Sequence, residues 1–150
     1  MSQIYTSDTN RPLRGIFKMR VLDKAGRVVG VYEDHNMIVN SARTAMTYLV
    51  SEGLQAKVIK KFGVGTGTAT ATPSDSELTN PYVNNIINHS FPDFGVVKFL
   101  WRLGYDEANN MNVTEFGLYC ADDTLFSRKV RSAIYKASDI AFEGEWSIIF

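Results

Sequence analysis

"KKFGVGTGTATATPSDSELTNP", residues Lys60 to Pro81, decides how this chain is read. Gly63, Gly65 and Gly67 stand at alternate positions after an apolar run. Such a stretch is either a phosphate cradle or a connection at the margin of a β-rich fold. A dinucleotide site needs its glycine turn to run straight into a helix, whose first amides receive the phosphates. Here Thr68-Ala69-Thr70-Ala71-Thr72-Pro73 follows. Residues branched at Cβ at alternate positions, closed by a proline, open no long helix. No Gly-Lys-Ser or Gly-Lys-Thr triplet occurs in the chain, so the P-loop reading lacks its lysine as well. The alternate glycines fit a bare, flexible or twisted strand end. No nucleotide, other cofactor or metal is expected. "PSDSEL" is expected to form one helical turn, with Ser74 as its cap and Glu77 three residues later.

Upstream, "NSARTAMTYLVSEG" is the one strong helix. Asn40 or Ser41 is placed to cap its first amides. Ala42, Ala45, Met46, Leu49 and Val50 share a face at helical spacing, and Gly53 suits its C-terminal stop. Before it, "IFKMRVLDKAGRVVGVYED" reads as two strands joined at Asp23-Lys24-Ala25-Gly26. Phe17, Met19 and Val21 alternate with Lys18 and Arg20, which separates an apolar from a charged face.

Downstream, "AKVIKKFGVG", "YVNNIINHSF", "VVKFLWRLGY", "NVTEFGLYCA", "TLFSRKVR" and "IAFEGEWSIIF" are short, rich in β-branched and aromatic residues, and bounded by turn formers. In the last run Phe142, Trp146, Ile148 and Phe150 share one face, with Glu143, Glu145 and Ser147 on the other. A single helix cannot supply the crossovers of a doubly wound sheet. The expected fold is therefore mainly β, with β-sandwich-like antiparallel sheets or an open barrel and one flanking α-helix. Residues 15–150 form a single β-rich domain. Residues 1–14 are an N-terminal arm, either a frayed end or a segment that orders on a neighbouring subunit.

Lysine plus arginine and aspartate plus glutamate both total 16 in a chain of 150 residues. This balance supplies no long-range attraction for nucleic acid or an anionic membrane. The lone cysteine, Cys120, excludes an internal disulfide. The first residues show no apolar signal-like core, and no run approaches the roughly 18 to 20 apolar residues that span a bilayer. A soluble protein made in a reducing cytosol is expected.

The chemistry-bearing residues are sparse. His35 in "EDHN" and His89 have no metal-type neighbours in sequence, and His35 is expected at a solvated loop end. Cys120 in an apolar strand reads as a small buried hydrophobe. Asp106-Glu107 and Asp122-Asp123 fall at expected turns. Glu115 in "NVTEFGLYC" interrupts an apolar strand. Two readings are open for it: an exposed strand position, or a structural ion pair with Arg102, Arg128 or Arg131 that fixes the sheet register. No catalytic set can be named, and a non-enzymatic protein is expected.

The order of these segments resembles a group of tailed-bacteriophage virion proteins related to tail-fibre, collar and baseplate-associated components. A hairpin leads to "HNMIVNSARTAMTYLV", then "FGVGTGTATATPSDSELTNP", then "NVTEFGLYCADDTLFSRKV" and "WSIIF". The resemblance runs from Gly15 to Phe150. It implies a structural role in which Leu78, Glu115, Phe116, Gly117, Leu118, Leu125, Phe126 and Arg128 are scaffold residues. It also implies self-assembly and other phage virion proteins as partners, in the virion after assembly in the host cytoplasm. Tail-fibre proteins commonly continue into a shaft and a receptor-binding tip; a chain that stops at Phe150 is expected instead to be an attachment, collar or decoration component. The alternatives are a head decoration protein and a module that binds a host-surface glycan, with Tyr82, Phe91, Phe94, Trp101 and Tyr105 available to stack on sugars.

Overall fold

The computed structural model describes residues 13–150. The expected N-terminal arm lies outside the described residues up to residue 12, and Arg14 already belongs to the first strand. Nine strands and one α-helix follow in chain order: β1 (Arg14–Leu22), β2 (Val28–Ile38), α1 (Asn40–Glu52), β3 (Ile59–Gly65), β4 (Tyr82–Asn85), β5 (Asn88–Ser90), β6 (Val96–Leu103), β7 (Met111–Cys120), β8 (Leu125–Lys136) and β9 (Ala141–Ile149). The sheet order is β4-β3-β7-β8-β2-β1-β9-β6-β5. Every pairing is antiparallel.

The alternation in β1 becomes a two-faced strand. Phe17, Met19 and Val21 are buried, while Lys18 and Arg20 are exposed. The hairpin turns at Gly26, whose φ of 81° is open to glycine without strain. Asp23 holds this turn by accepting the amides of Ala25 and Arg27 through Oδ1, each at 2.9 Å.

A sandwich or an open barrel was expected; the chain forms one continuous sheet curled like a half barrel, nearer to the second. β2 is the reason. Its residues 28–36 pair with β1, and its last two, Met37 and Ile38, pair with Arg128 and Ser127 of β8. A strand that changes neighbour partway along carries the ladder round a corner. The curl also brings the two ends of the sheet together. β4 pairs with β3 and β5 with β6. Between them the Ile86 amide donates to Lys60 O and the Ile87 amide to Leu100 O. One segment, residues 82–90, thus lies along both margins, where open strand edges would otherwise invite other chains.

The inner faces meet in an aromatic core. The ring of Phe17 in β1 lies 5.7 Å from Trp101 of β6, 4.8 Å from Phe116 of β7 and 5.1 Å from Trp146 of β9. Offset and edge-on contacts at these spacings suit aromatic quadrupoles.

α1 packs on the sheet through Ala42 and Ala45, both fully buried, with Met46 beside them. Gly53 ends it in the left-handed conformation, its amide donating to Leu49 O. Two expectations fail here. No side chain caps the helix: Ser41 Oγ instead donates to Leu125 O at 2.6 Å, which ties the helix to β8. Val50 is 89% exposed, because the apolar stripe is narrower than its spacing implied. Phe150 is likewise exposed, although Phe142, Trp146 and Ile148 of the same run are buried. Among the described residues no helix is long and apolar enough to cross a membrane.

Candidate functional site

The glycine-rich stretch does bind an anion, and the anion is part of the chain. Glu115, on β7, is 1% exposed. Its Oε2 accepts the amide of Gly67 at 2.6 Å and that of Thr79 at 2.7 Å. Its Oε1 accepts Arg128 Nε from β8 at 2.9 Å. Arg128 spends its other nitrogens on the same stretch: Nη1 donates to Asp75 Oδ2 at 2.8 Å and Nη2 to Ala69 O at 2.9 Å. Asp75 in turn accepts the amide and hydroxyl of Thr72. Thr114 Oγ1 donates to Gly67 O at 2.7 Å. Residues 66–80 are therefore clamped onto the outer face of β7 and β8 by paired charges. Burial works against the charge on Arg128, but its bonds to Asp75 and Glu115 prevail and hold it above the ordinary guanidinium value. Burial likewise opposes the charge on Asp75, and the Thr72 amide and Arg128 together keep it below the ordinary carboxylate range. Of the two readings of Glu115, the structural ion pair holds, with Arg128 as its partner.

This geometry explains the glycines. None of the three lies in the left-handed region, so freedom at φ is not their purpose. A Cβ on Gly65 would stand 2.6 Å from Glu115 Oε2 and 2.7 Å from Thr79 O; one on Gly67 would stand 2.5 Å from Glu115 Oε2. One on Gly63 would meet the Tyr119 ring at 2.9 Å. The expected flexible strand end is instead close-packed backbone, kept bare so that a carboxylate and a neighbouring chain segment can approach. The expected helical turn in "PSDSEL" does not form; Thr72 and Asp75 make a bonded turn in place of the Ser74–Glu77 cap.

The remaining scaffold residues gather around this clamp. Gly117 sits where Leu78, Leu125 and Tyr119 converge, with no room for a Cβ beyond 3.2 Å from each. Leu78, Tyr119, Leu125 and Val39 form a small apolar cluster. Phe116, Leu118 and Phe126 belong to the main core. β7 is buried over residues 113–120 because the core covers one face and the clamped segment the other. Asp75 and Thr114 were missed by sequence reasoning. "PSDSEL" signalled a capped turn and so concealed Asp75 as an arginine partner.

Other polar groups are also spent inside. Glu107 accepts Tyr82 Oη at 2.8 Å, Asn84 Nδ2 at 2.6 Å and the Gly104 amide at 3.1 Å. Lys136 is fully buried and donates to Asn109 Oδ1 and Ala137 O; burial pushes its pKa down. Burial raises the Cys120 thiol to about 11, so it rests as the neutral form. His35 is exposed within β2 rather than at a loop end, and its neighbour Asp34 is engaged by Lys129. Among the described residues no three of His, Cys, Asp and Glu come together to hold a metal.

Elsewhere the molecule is open. A groove of about 420 Å³ lies between α1 and the segment that joins the sheet margins, lined by Met46, Leu49, Ile87, Phe91, Phe99 and Phe150 among others. Around it Ile87 is 60%, Phe91 75%, Phe150 63% and Phe94 99% exposed. Of the aromatics expected to stack on sugars, only Phe91 and Phe94 are fully at the surface. Trp101 is buried in the core, Tyr82 is bound to Glu107, and Tyr105 Oη donates to Asp23 O at 2.6 Å. They form no common platform.

No protein-family model, curated protein or solved structure matches the chain.

Proposed function

We propose that this chain is a non-enzymatic structural protein of a tailed-bacteriophage virion, a tail, neck, collar or baseplate-associated component that associates with itself and with other virion proteins. The observation that carries the reading is the apolar corner around Ile87, Phe91, Phe94 and Phe150, beside an apolar groove. A contiguous apolar patch at the surface of a small domain is a contact surface in want of a partner. The chain's inward charges support the same reading, since the buried Glu115 and Arg128, with the half-buried Asp75, are consumed in holding a segment in place. The order of segments adds the phage context, in which a neutral, rigid domain serves as a building block. A single-sheet domain is sufficient for that role, and two packed sheets are not required by it.

The outer face of β1, β6 and β9 bears on partner choice. Arg20 and Arg102 both meet Glu143, at 2.7 and 3.1 Å, while Lys18 pairs with Glu33 and Lys98 with Glu145, each at 3.7 Å. A lattice of alternating charge offers no basic stripe for nucleic acid or an anionic membrane. The test is direct. Purified protein is expected to self-associate, and an antibody to it is expected to label purified virions at the tail or neck. A protein that is monomeric at high concentration and missing from particles ends the proposal; labelling of the head shell alone makes it a decoration protein.

A further inference from the structure

The apolar corner carries both a projection and a hollow. Phe94 is 99% exposed, and its turn is stiff. Asp93 Oδ1 accepts the Phe94 amide at 2.7 Å, the Val96 amide donates to Asp93 O, and Gly95 takes a φ of 69° that allows the tight reversal. A large side chain presented on a turn already ordered gives up little further freedom on binding. Beside it lies the groove of about 420 Å³, walled by Met46, Leu49, Ile87, Phe91 and Phe150. Phe91 and Phe150 also border the hollow that Asp93 and Gly95 line, so projection and groove share one patch.

The polar groups at this patch are complementary. Lys60 lines the groove, is exposed and forms no ion pair among the described residues. Asp93 beside Phe94 is exposed and, among the described residues, pairs with no cation. A phenyl ring approaching the groove on this turn brings a carboxylate toward an ammonium. A formal net charge of zero removes the overall repulsion between two identical chains.

We propose that the groove receives Phe94 of a second copy of this chain, so that two copies join about a two-fold axis, each seating its Phe94 in the other's groove with Asp93 facing Lys60. A patch holding both the projection and its receptor is self-complementary, and a two-fold contact closes on itself. The inference rests on the self-association proposed above and names the surface that performs it.

Sedimentation equilibrium over a range of concentrations, up to about 1 mM, on wild type, Phe94→Ser and Ile87→Lys tests it. Both positions are mostly exposed, so both variants are expected to keep the wild-type melting temperature. The wild type is expected to dimerise, and each variant to weaken dimerisation on the order of thirtyfold or more, as for a central aromatic anchor. An equal mixture of the two variants is expected to associate more strongly than either alone, because Phe94 of the Ile87→Lys copy meets an intact groove. A wild-type dimer that neither variant weakens, or only one weakens, overturns the inference and leaves self-association standing. Weakened assembly of a ring or trimer overturns the two-fold arrangement. A wild type that stays monomeric throughout overturns both the inference and the self-association beneath it.

Discussion

The clamp over β7 and β8 and the apolar corner beside α1 are opposite solutions to surface chemistry. At the clamp, a glycine-rich stretch that looks open for a ligand is tied to its own chain. Two of its amides go to Glu115, one carbonyl to Arg128 and another to Thr114. At the corner no motif draws the eye, yet Phe94 stands in solvent next to an apolar groove. The difference teaches that a motif marks chemistry without saying whose. Bare amides attract a carboxylate of the same chain as readily as a phosphate, and once paired they have nothing left to offer.

The largest way to break this contrast is to open the clamp. Glu115→Ala leaves Arg128 Nε and two amides without their acceptor, and removing one partner of a buried pair costs about 3–5 kcal/mol. In a domain of this size that lowers the melting temperature by roughly 6–20 °C. Thermal unfolding checks this, and hydrogen exchange is expected to rise across residues 66–80. A loss below about 1 kcal/mol would mean that the pair behaves as a surface contact. Gly65→Ala sharpens the steric half of the argument. Its Cβ would meet Thr79 O at 2.7 Å, a backbone atom with nowhere to turn, and overpacking of this kind costs about 1–3 kcal/mol. Urea unfolding reads it directly, and an unchanged midpoint would restore the flexible reading of the glycines.

A third test is acid. Lys57 Nζ lies 2.6 Å from Asp122 Oδ2, and that bond, with the Thr124 hydroxyl and amide, holds Asp122 at about 2 against an ordinary 3.8. A folded value below the unfolded one stabilises the fold above the unfolded value. The contribution is full above about pH 4 and disappears as the pH falls to about 2. The pair is partly exposed, so about 1 kcal/mol is expected. Asp122→Asn should remove that part of the acid dependence, measured as stability against pH. The smallest expected effect is at the corner. Phe94→Ser should alter monomer stability by no more than about 0.5 kcal/mol while disrupting association. A large loss of stability there would show that Phe94 supports the fold instead of a contact.

Much of this architecture was legible in the chain. The β1–β2 hairpin, its Gly26 turn, α1 with its Gly53 stop and most of the later strands follow from periodicity and turn chemistry, because these are local properties; the run "YVNNIINHSF", which reads as one strand, is instead split into β4 and β5. Asp122 and Asp123 do lie in the tight turn between β7 and β8. The alternate glycines read as a flexible strand end, and the structure makes them close-packed backbone instead. Backbone that must be bare for close approach and backbone that must be free to turn have the same spelling. Phe150 and Val50 continued their apolar stripes and yet ended in solvent, because a stripe does not record where its covering neighbour stops.

The sequence by itself determined strand and helix identities, the dominance of β structure and the neutrality of the surface, since each depends on residues close together along the chain. Only the tertiary structure decided that β2 bends one sheet into a curl, that Arg128 rather than Arg102 or Arg131 neutralises Glu115, and that Phe94 stands beside a groove. Those outcomes depend on contacts between residues far apart in the chain. Such contacts are selected by the burial and pairing of whole surfaces, a property that no local stretch carries.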